Sequence, residues 1–316
     1  MPPRLARQVG DPIFRGVRRL FPTFATLLLF LTLPAARSPV FAQRAVAISP
    51  DVGSEALFHL ALEARRNGDE RLAGIVLERV VRLDPEAVLP RLEWAEVLLS
   101  LGEPGLVEAL LVPVAERIES EAGKRPDSAA RFYRLRGNAA ARAGRKADAL
   151  ELYEQAIALA PYDLGLRGLV VSMYRARGDE SSAARHLVAA ASIRPQDFDL
   201  HLEAGRALLV VDRFIDAENE FRMALRIDLQ SVPAWQGLGE SLAGQEKWAD
   251  AEEVYRGVLP LAPESAPLHE LLGDVLLAGG RAKEALVWYN RAAALGGSAA
   301  PALADKIEQA QAQLRP

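Results

Sequence analysis

Cysteine is absent from all 316 residues. No disulfide can form in any compartment, no thiolate can act as nucleophile or zinc ligand, and no lipid can be attached through sulfur. Aromatic residues make up only 6%, and histidines number four. Two fragments approach a catalytic pattern and fail. His269-Glu270 opens like a zinc-protease helix, but Gly273 stands where the second histidine is required. Gly239-Glu-Ser-Leu-Ala243 resembles a serine elbow until its last residue, and its helical setting offers no strained strand-to-helix turn. Phosphate-cradling glycine loops and carboxylate pairs in a cleft are missing too. These absences leave no catalytic residue, metal site or cofactor to assign and point away from an enzyme.

What the chain does have is a period. Ala149, Ala183, Ala217, Ala251 and Ala285 are each separated by 34 residues. A fixed interval of that length marks stacked copies of one helix-turn-helix unit. Seven copies begin at Ser54, Val88, Ala130, Leu164, Phe198, Val232 and Ala266, with one longer step of 42 before the third. Column eight of the period holds Ala61, Ala95, Gly137, Val171, Gly205, Gly239 and Gly273, nearly all small. Column twenty-four holds Leu77, Leu111, Tyr153, Leu187, Phe221, Tyr255 and Tyr289, all large. Small residues let two helix backbones approach, and the large ones fill what remains. Gly68, Gly102, Gly144, Gly178 and Gly280 fall where a left-handed residue ends the first helix of a pair. Pro85, Pro161, Pro195 and Pro263 close the second.

These columns resemble the tetratricopeptide repeat family. Tyr133-Arg-Leu-Arg-Gly137 with Ala149, Tyr153, Ala156 and Pro161 follows the family pattern, as does Trp235-Gln-Gly-Leu-Gly239 with Ala251, Tyr255 and Pro263. The resemblance covers residues 54–297 and implies an all-α, right-handed superhelical solenoid of about seven repeats. Repeat two departs from the pattern at Val107 and Glu119, and Pro113 inside its second helix predicts a kink. Repeats one and two span 54–121 and repeats three to seven 130–297. The charged stretch 122–129 between them reads as a linker insertion, an exposed loop or a hinge. Residues 298–316 read as a polar capping helix, with Lys306, Glu308, Gln309, Gln311 and Gln313 outward.

Residues 1–42 are of another kind. Arg4, Arg7, Arg15, Arg18 and Arg19 precede an apolar run at 24–33, then Val40-Phe-Ala42 before Gln43. A basic start, a short apolar core and small residues before the cut are the marks of a secretory signal peptide, cleaved here between Ala42 and Gln43. The run is short of the ~20 residues of a membrane span, so no span is expected after cleavage. Residues 43–53 form a short lead-in. The signal carries six arginines and one aspartate, and its removal from 38 basic and 42 acidic residues leaves 32 and 41, a net charge of −9. Nucleic acid is an unfavourable partner for such a chain. Together these features predict an exported protein, placed in the periplasm.

The resemblance further implies that columns two, five, nine and twelve of the first helices line a concave, ligand-binding wall. They are Arg131, Arg134 and Asn138 in repeat three, Gly165, Gly168, Ser172 and Arg175 in repeat four, and Arg206 in repeat five. Glu240 follows in repeat six, and Glu270 and Asp274 in repeat seven. Glycines on a helix face cost about 1 kcal/mol each against alanine, unless the missing side chain makes room for something. Here it leaves room for an extended backbone beside arginines that grip carboxylates bidentately. Of the family's terminal-carboxylate clamp, Arg134 and Asn138 fit two positions while Leu169, Asp199 and Glu203 depart. The expectation is a scaffold binding a protein or peptide, with an acidic segment as one such ligand, and acting as an assembly factor in a bacterial envelope. The alternative is a structural adaptor of a polysaccharide export or secretion machine that works through the convex face or self-association.

Overall fold

The computed structural model describes residues 53–296 and 300–315. The proposed signal and its cut at Ala42 and Gln43 lie outside the described residues. Among those described, the chain is helical and without strands. Repeat one is α1 (Ser54–Arg66) and α2 (Glu70–Leu83), and repeat two begins with α3 (Val88–Ser100). Its second half is broken into α4 (Val107–Leu111) and α5 (Ala115–Glu121). Repeat three is α6 (Pro126–Arg142) and α7 (Lys146–Leu159); repeat four is α8 (Leu164–Arg175) and α9 (Glu180–Ile193). Repeats five to seven are α10 (Phe198–Val210) with α11 (Phe214–Ile227), α12 (Val232–Gly244) with α13 (Trp248–Val258), and α14 (Ala266–Ala278) with α15 (Ala282–Ala294). The final helix, α16 (Ala300–Ala312), starts one period after α14.

Helix ends follow local chemistry. Asp69, Asp163, Asp179 and Asp197 each accept a backbone N–H three residues on, capping α2, α8, α9 and α10. The five expected glycines at column fifteen all adopt positive φ, between 74° and 81°. In repeats five and six the same place is taken by Asp212 at 57° and Glu246 at 60°, side chains that the left-handed region disfavours.

Pro113 does more than kink its helix. It sits in the 3-10 turn Val112–Val114 that separates α4 from α5, because it supplies no N–H and its ring crowds the preceding turn. The insertion is also arranged differently from a simple loop. Pro126 occupies the first turn of α6, where a missing N–H is harmless, so the first helix of repeat three starts before Ala130. Nor does the insertion separate two cores: Leu110 and Leu111 of α4 belong to one buried cluster with Phe132 and Leu135 of α6.

The chain divides instead into two compact units, one ending at Pro161 and the other starting at Tyr162. In the first, Leu57, Leu77, Trp94 and Phe132 are among the fully buried side chains. In the second, one cluster runs from Val171 to Val275 and another joins Tyr289 to Leu303 and Ala310 of α16. The small and large columns interlock as the period requires. A Cβ at Gly137 would lie 2.5 Å from the Tyr153 ring, at Gly205 2.8 Å from Phe221, at Gly239 2.2 Å from Tyr255, and at Gly273 2.4 Å from Tyr289. No side chain larger than hydrogen fits there without displacing the ring.

Column four has a task that its composition hides. Arg91 donates to the Pro85 carbonyl, His201 Nε2 faces that of Pro195 at 3.3 Å, and Trp235 Nε1 donates to that of Leu229 at 2.8 Å. Each reaches the carbonyl six residues upstream, at the exposed end of the previous repeat's second helix. Three unlike residues share the column because each carries an N–H of sufficient reach. His201 and His269 are both buried, at 4% and 3% exposure, as packing residues of this column.

Candidate binding surface

In the first unit the first helices are laced together by charge. Arg131 on α6 donates to Glu93 and Glu96 on α3, both at 2.8 Å. Arg65, from the end of α1, meets the same two carboxylates, Glu96 at 2.9 Å. Burial alone would raise the Glu96 carboxyl, but the hydrogen bonds and charges of Arg131 and Arg65 outweigh it and hold the group below the usual range. Arg131 thus binds repeat three to repeat two, and its donors toward these carboxylates are already committed. Arg134 is partly buried beside it. Asn138 accepts the Tyr153 hydroxyl at 2.8 Å, so it anchors the ring that fills the Gly137 hollow.

The second unit is more open. Gly165 and Gly168 are exposed on α8, and a Cβ at Gly168 would meet nothing within 4 Å. A depression of about 450 Å³ lies there, bordered by Arg167, Gly168, Ser172 and Arg175 of repeat four, by Arg194, and by Asp197 and Glu203 of repeat five. Arg175 pairs with Glu203 at 2.8 Å and Glu180 at 3.8 Å, while remaining exposed. Ser172 turns its hydroxyl back to the Leu169 carbonyl. Arg206 is exposed on α10; its charge partly opposes the desolvation by neighbouring protein that pushes the carboxyl of surface-exposed Glu240 on α12 upward.

At the far end, Glu270 and Asp274 both accept from Lys306 of α16, each at 2.7 Å. Lys306, read from sequence as outward-facing, is therefore turned inward. Two carboxylates on α14 outweigh the burial that would lower its pKa and hold the ammonium above its ordinary value. Asp274 also accepts the Tyr289 hydroxyl at 2.9 Å.

The structure places these candidates on the first helices of each unit and adds partners that single-residue reasoning missed: Arg65, Glu93, Glu96, Arg167, Arg194 and Lys306. A signal for some of them existed. Arg65–Glu93 and Arg175–Glu203 are both separated by 28 residues, which is column twelve of one repeat against column six of the next.

Sequence comparison agrees with this architecture. A family model described as a tetratricopeptide repeat matches residues 130–163, and a second with the same description matches 236–300. The chain carries tetratricopeptide repeats. The first match begins at Ala130, where the period puts repeat three. Among solved structures, Naa15/Naa10 bound to HypK-THB is similar in fold, with a TM-score of 0.62 and 14% identity over 83% of this chain and 39% of that one. The C-terminal part of a TPR repeat-containing protein from Cytophaga hutchinsonii aligns at 16% identity over 79% of this chain and 99% of that one, TM-score 0.44. The MamA protein aligns at 16% identity over 52% and 91%, TM-score 0.43. No curated protein matches the chain. Tetratricopeptide repeats of this kind make a protein-interaction scaffold. No described helix is long and apolar enough to cross a membrane, and no group of three or more His, Asp or Glu among the described residues is placed to hold a metal.

Proposed function

We propose that the protein is an exported tetratricopeptide scaffold that holds a partner polypeptide against the inner face of its second unit. It would serve as an assembly or adaptor factor in the periplasm of a bacterial envelope. The observation that carries this reading is the open ground above Gly168. A helix normally fills such a position, and here the missing side chain borders a depression of about 450 Å³ with Arg175 and Arg194 at its edge. An extended backbone can lie close to a helix only where side chains are absent. Guanidinium groups at its edge favour an acidic segment, since an arginine holds a carboxylate through two parallel hydrogen bonds. Such a role needs binding and no catalysis.

Export rests on the N-terminal text and on a chain that stays acidic without it. Amino-terminal sequencing of the secreted protein should begin at Gln43; an intact Met1 start on cytosolic material would end the export claim. For binding, a short labelled peptide bearing three glutamates in a Gly-Ser background is titrated into the protein, its Gly168→Leu variant, and a variant with Arg175 and Arg194, both at the rim of the depression, reversed to glutamate. Either change should weaken binding roughly tenfold or more. Unaltered affinity in both would move the interaction to the convex face.

A further inference from the structure

Behind column nine of each first helix stands the large residue of column twenty-four, and where that residue is tyrosine its hydroxyl points at the inner face. Tyr153 gives its proton to Asn138 and Tyr289 gives its own to Asp274. Tyr255 breaks the pattern. Its ring is packed against Gly239 and fully buried, yet its hydroxyl has no hydrogen-bond partner. Burial first, with the charges of Glu240 and Asp274 adding to it, pushes its pKa far up.

Glu240 is the second anomaly. Its side chain is exposed, and among the described residues no hydrogen bond or ion pair holds its carboxylate; Arg206 acts on it only through its field. One repeat further along, the same wall already holds an ammonium group, that of Lys306 between Glu270 and Asp274. The inner face of α12 and α14 is therefore built for cations and has one subsite filled from within.

We propose that Glu240 and the Tyr255 hydroxyl form a subsite for the side-chain cation of a lysine or arginine in the partner polypeptide. This deepens the binding role given above and rests on it. An ammonium brings three N–H donors and a guanidinium five. One donor meets the Glu240 carboxylate in a charge-assisted bond, and a second meets the phenol oxygen once the side chains that bury it give way. Binding relieves two unfavourable features together: a carboxylate without a hydrogen-bonded partner and a buried hydroxyl without one. Glutamates at the repeat-four depression and a basic residue at repeat six would then fix the direction in which a partner segment lies.

The test uses the full chain and three short labelled Gly-Ser peptides: one with two lysines, one with both lysines acetylated, and one with three glutamates. The dilysine peptide should bind roughly tenfold more tightly than its acetylated form. Glu240→Gln and Tyr255→Phe should each bring that ratio close to one and leave the glutamate peptide unaffected. A ratio that persists in Glu240→Gln, or no preference for free lysine in the unaltered protein, overturns the proposal. Failure of the glutamate peptide alone removes the acidic-segment reading and leaves this one standing. Folding is checked separately. Tyr255→Phe should melt at or above the parent temperature because it deletes an unsatisfied group, and a clear fall would show that the hydroxyl is already partnered inside the protein, which also overturns the proposal.

Discussion

Two glycines in the middle of first helices should respond in opposite ways to the same added methyl group. At Gly273 a Cβ would stand 2.4 Å from the Tyr289 ring, whereas at Gly168 it would meet open space. Gly273→Ala should therefore destabilise the protein by about 1–3 kcal/mol through overpacking. Gly168→Ala should stabilise it by roughly 0.5–1 kcal/mol through lower backbone entropy in the unfolded chain. Thermal melts of the two variants check both signs, and a loss at Gly168 would show that its surroundings are filled. The Gly273 outcome was legible in the period, since column eight is small wherever column twenty-four is a ring. The Gly168 outcome was only half legible: sequence put the residue in a column expected to face a ligand, while the depression beside it depends on how α8, α9 and α10 meet.

Among the helices and turns, the register of the period explains nearly all boundaries and also marks where they are strained. Five repeats place glycine at the left-handed turn between their two helices, and repeats five and six place Asp212 and Glu246 there instead. Asp212→Gly and Glu246→Gly should each raise stability by about 1 kcal/mol, because the left-handed conformation costs a side chain roughly that much. Chemical denaturation with an unchanged m-value would measure the gain; no gain at either site would mean that the turn is held by interactions of the replaced side chain. Pro113 was recognisable as a break, but the form of the break was not. Two short helices around a 3-10 turn survive because Leu110, Leu111, Val114 and Ile118 are still buried, and local propensity says nothing about that.

Over the whole molecule, ion pairs between successive repeats give the two units different characters. In the first, Arg65 and Arg131 grip Glu93 and Glu96 across three successive first helices. Glu96 is held below its ordinary value near 4.5, so its contribution is complete above that value and is lost as pH falls through the lowered one. Amide hydrogen exchange between about pH 6 and pH 3 should show α3 and α6 losing protection on acidification, and Glu96→Gln should flatten that dependence. A slope unchanged by the substitution would assign the acid sensitivity to other carboxylates. The second unit leaves Glu240 and Arg206 without such ties, which is why the proposed recognition of a partner is placed there.

The spacing of alanines, glycines and large apolar residues was by itself enough to determine the repeat, its helices and the face each helix buries. Helix-pair packing depends on residues within one period, and a one-dimensional text records those directly. Tertiary structure decided the rest. Which arginines are already occupied and which way Lys306 turns both depend on contacts between one repeat and the next. Those contacts are set by the angle at which neighbouring units stack, and no single column of the period carries that angle.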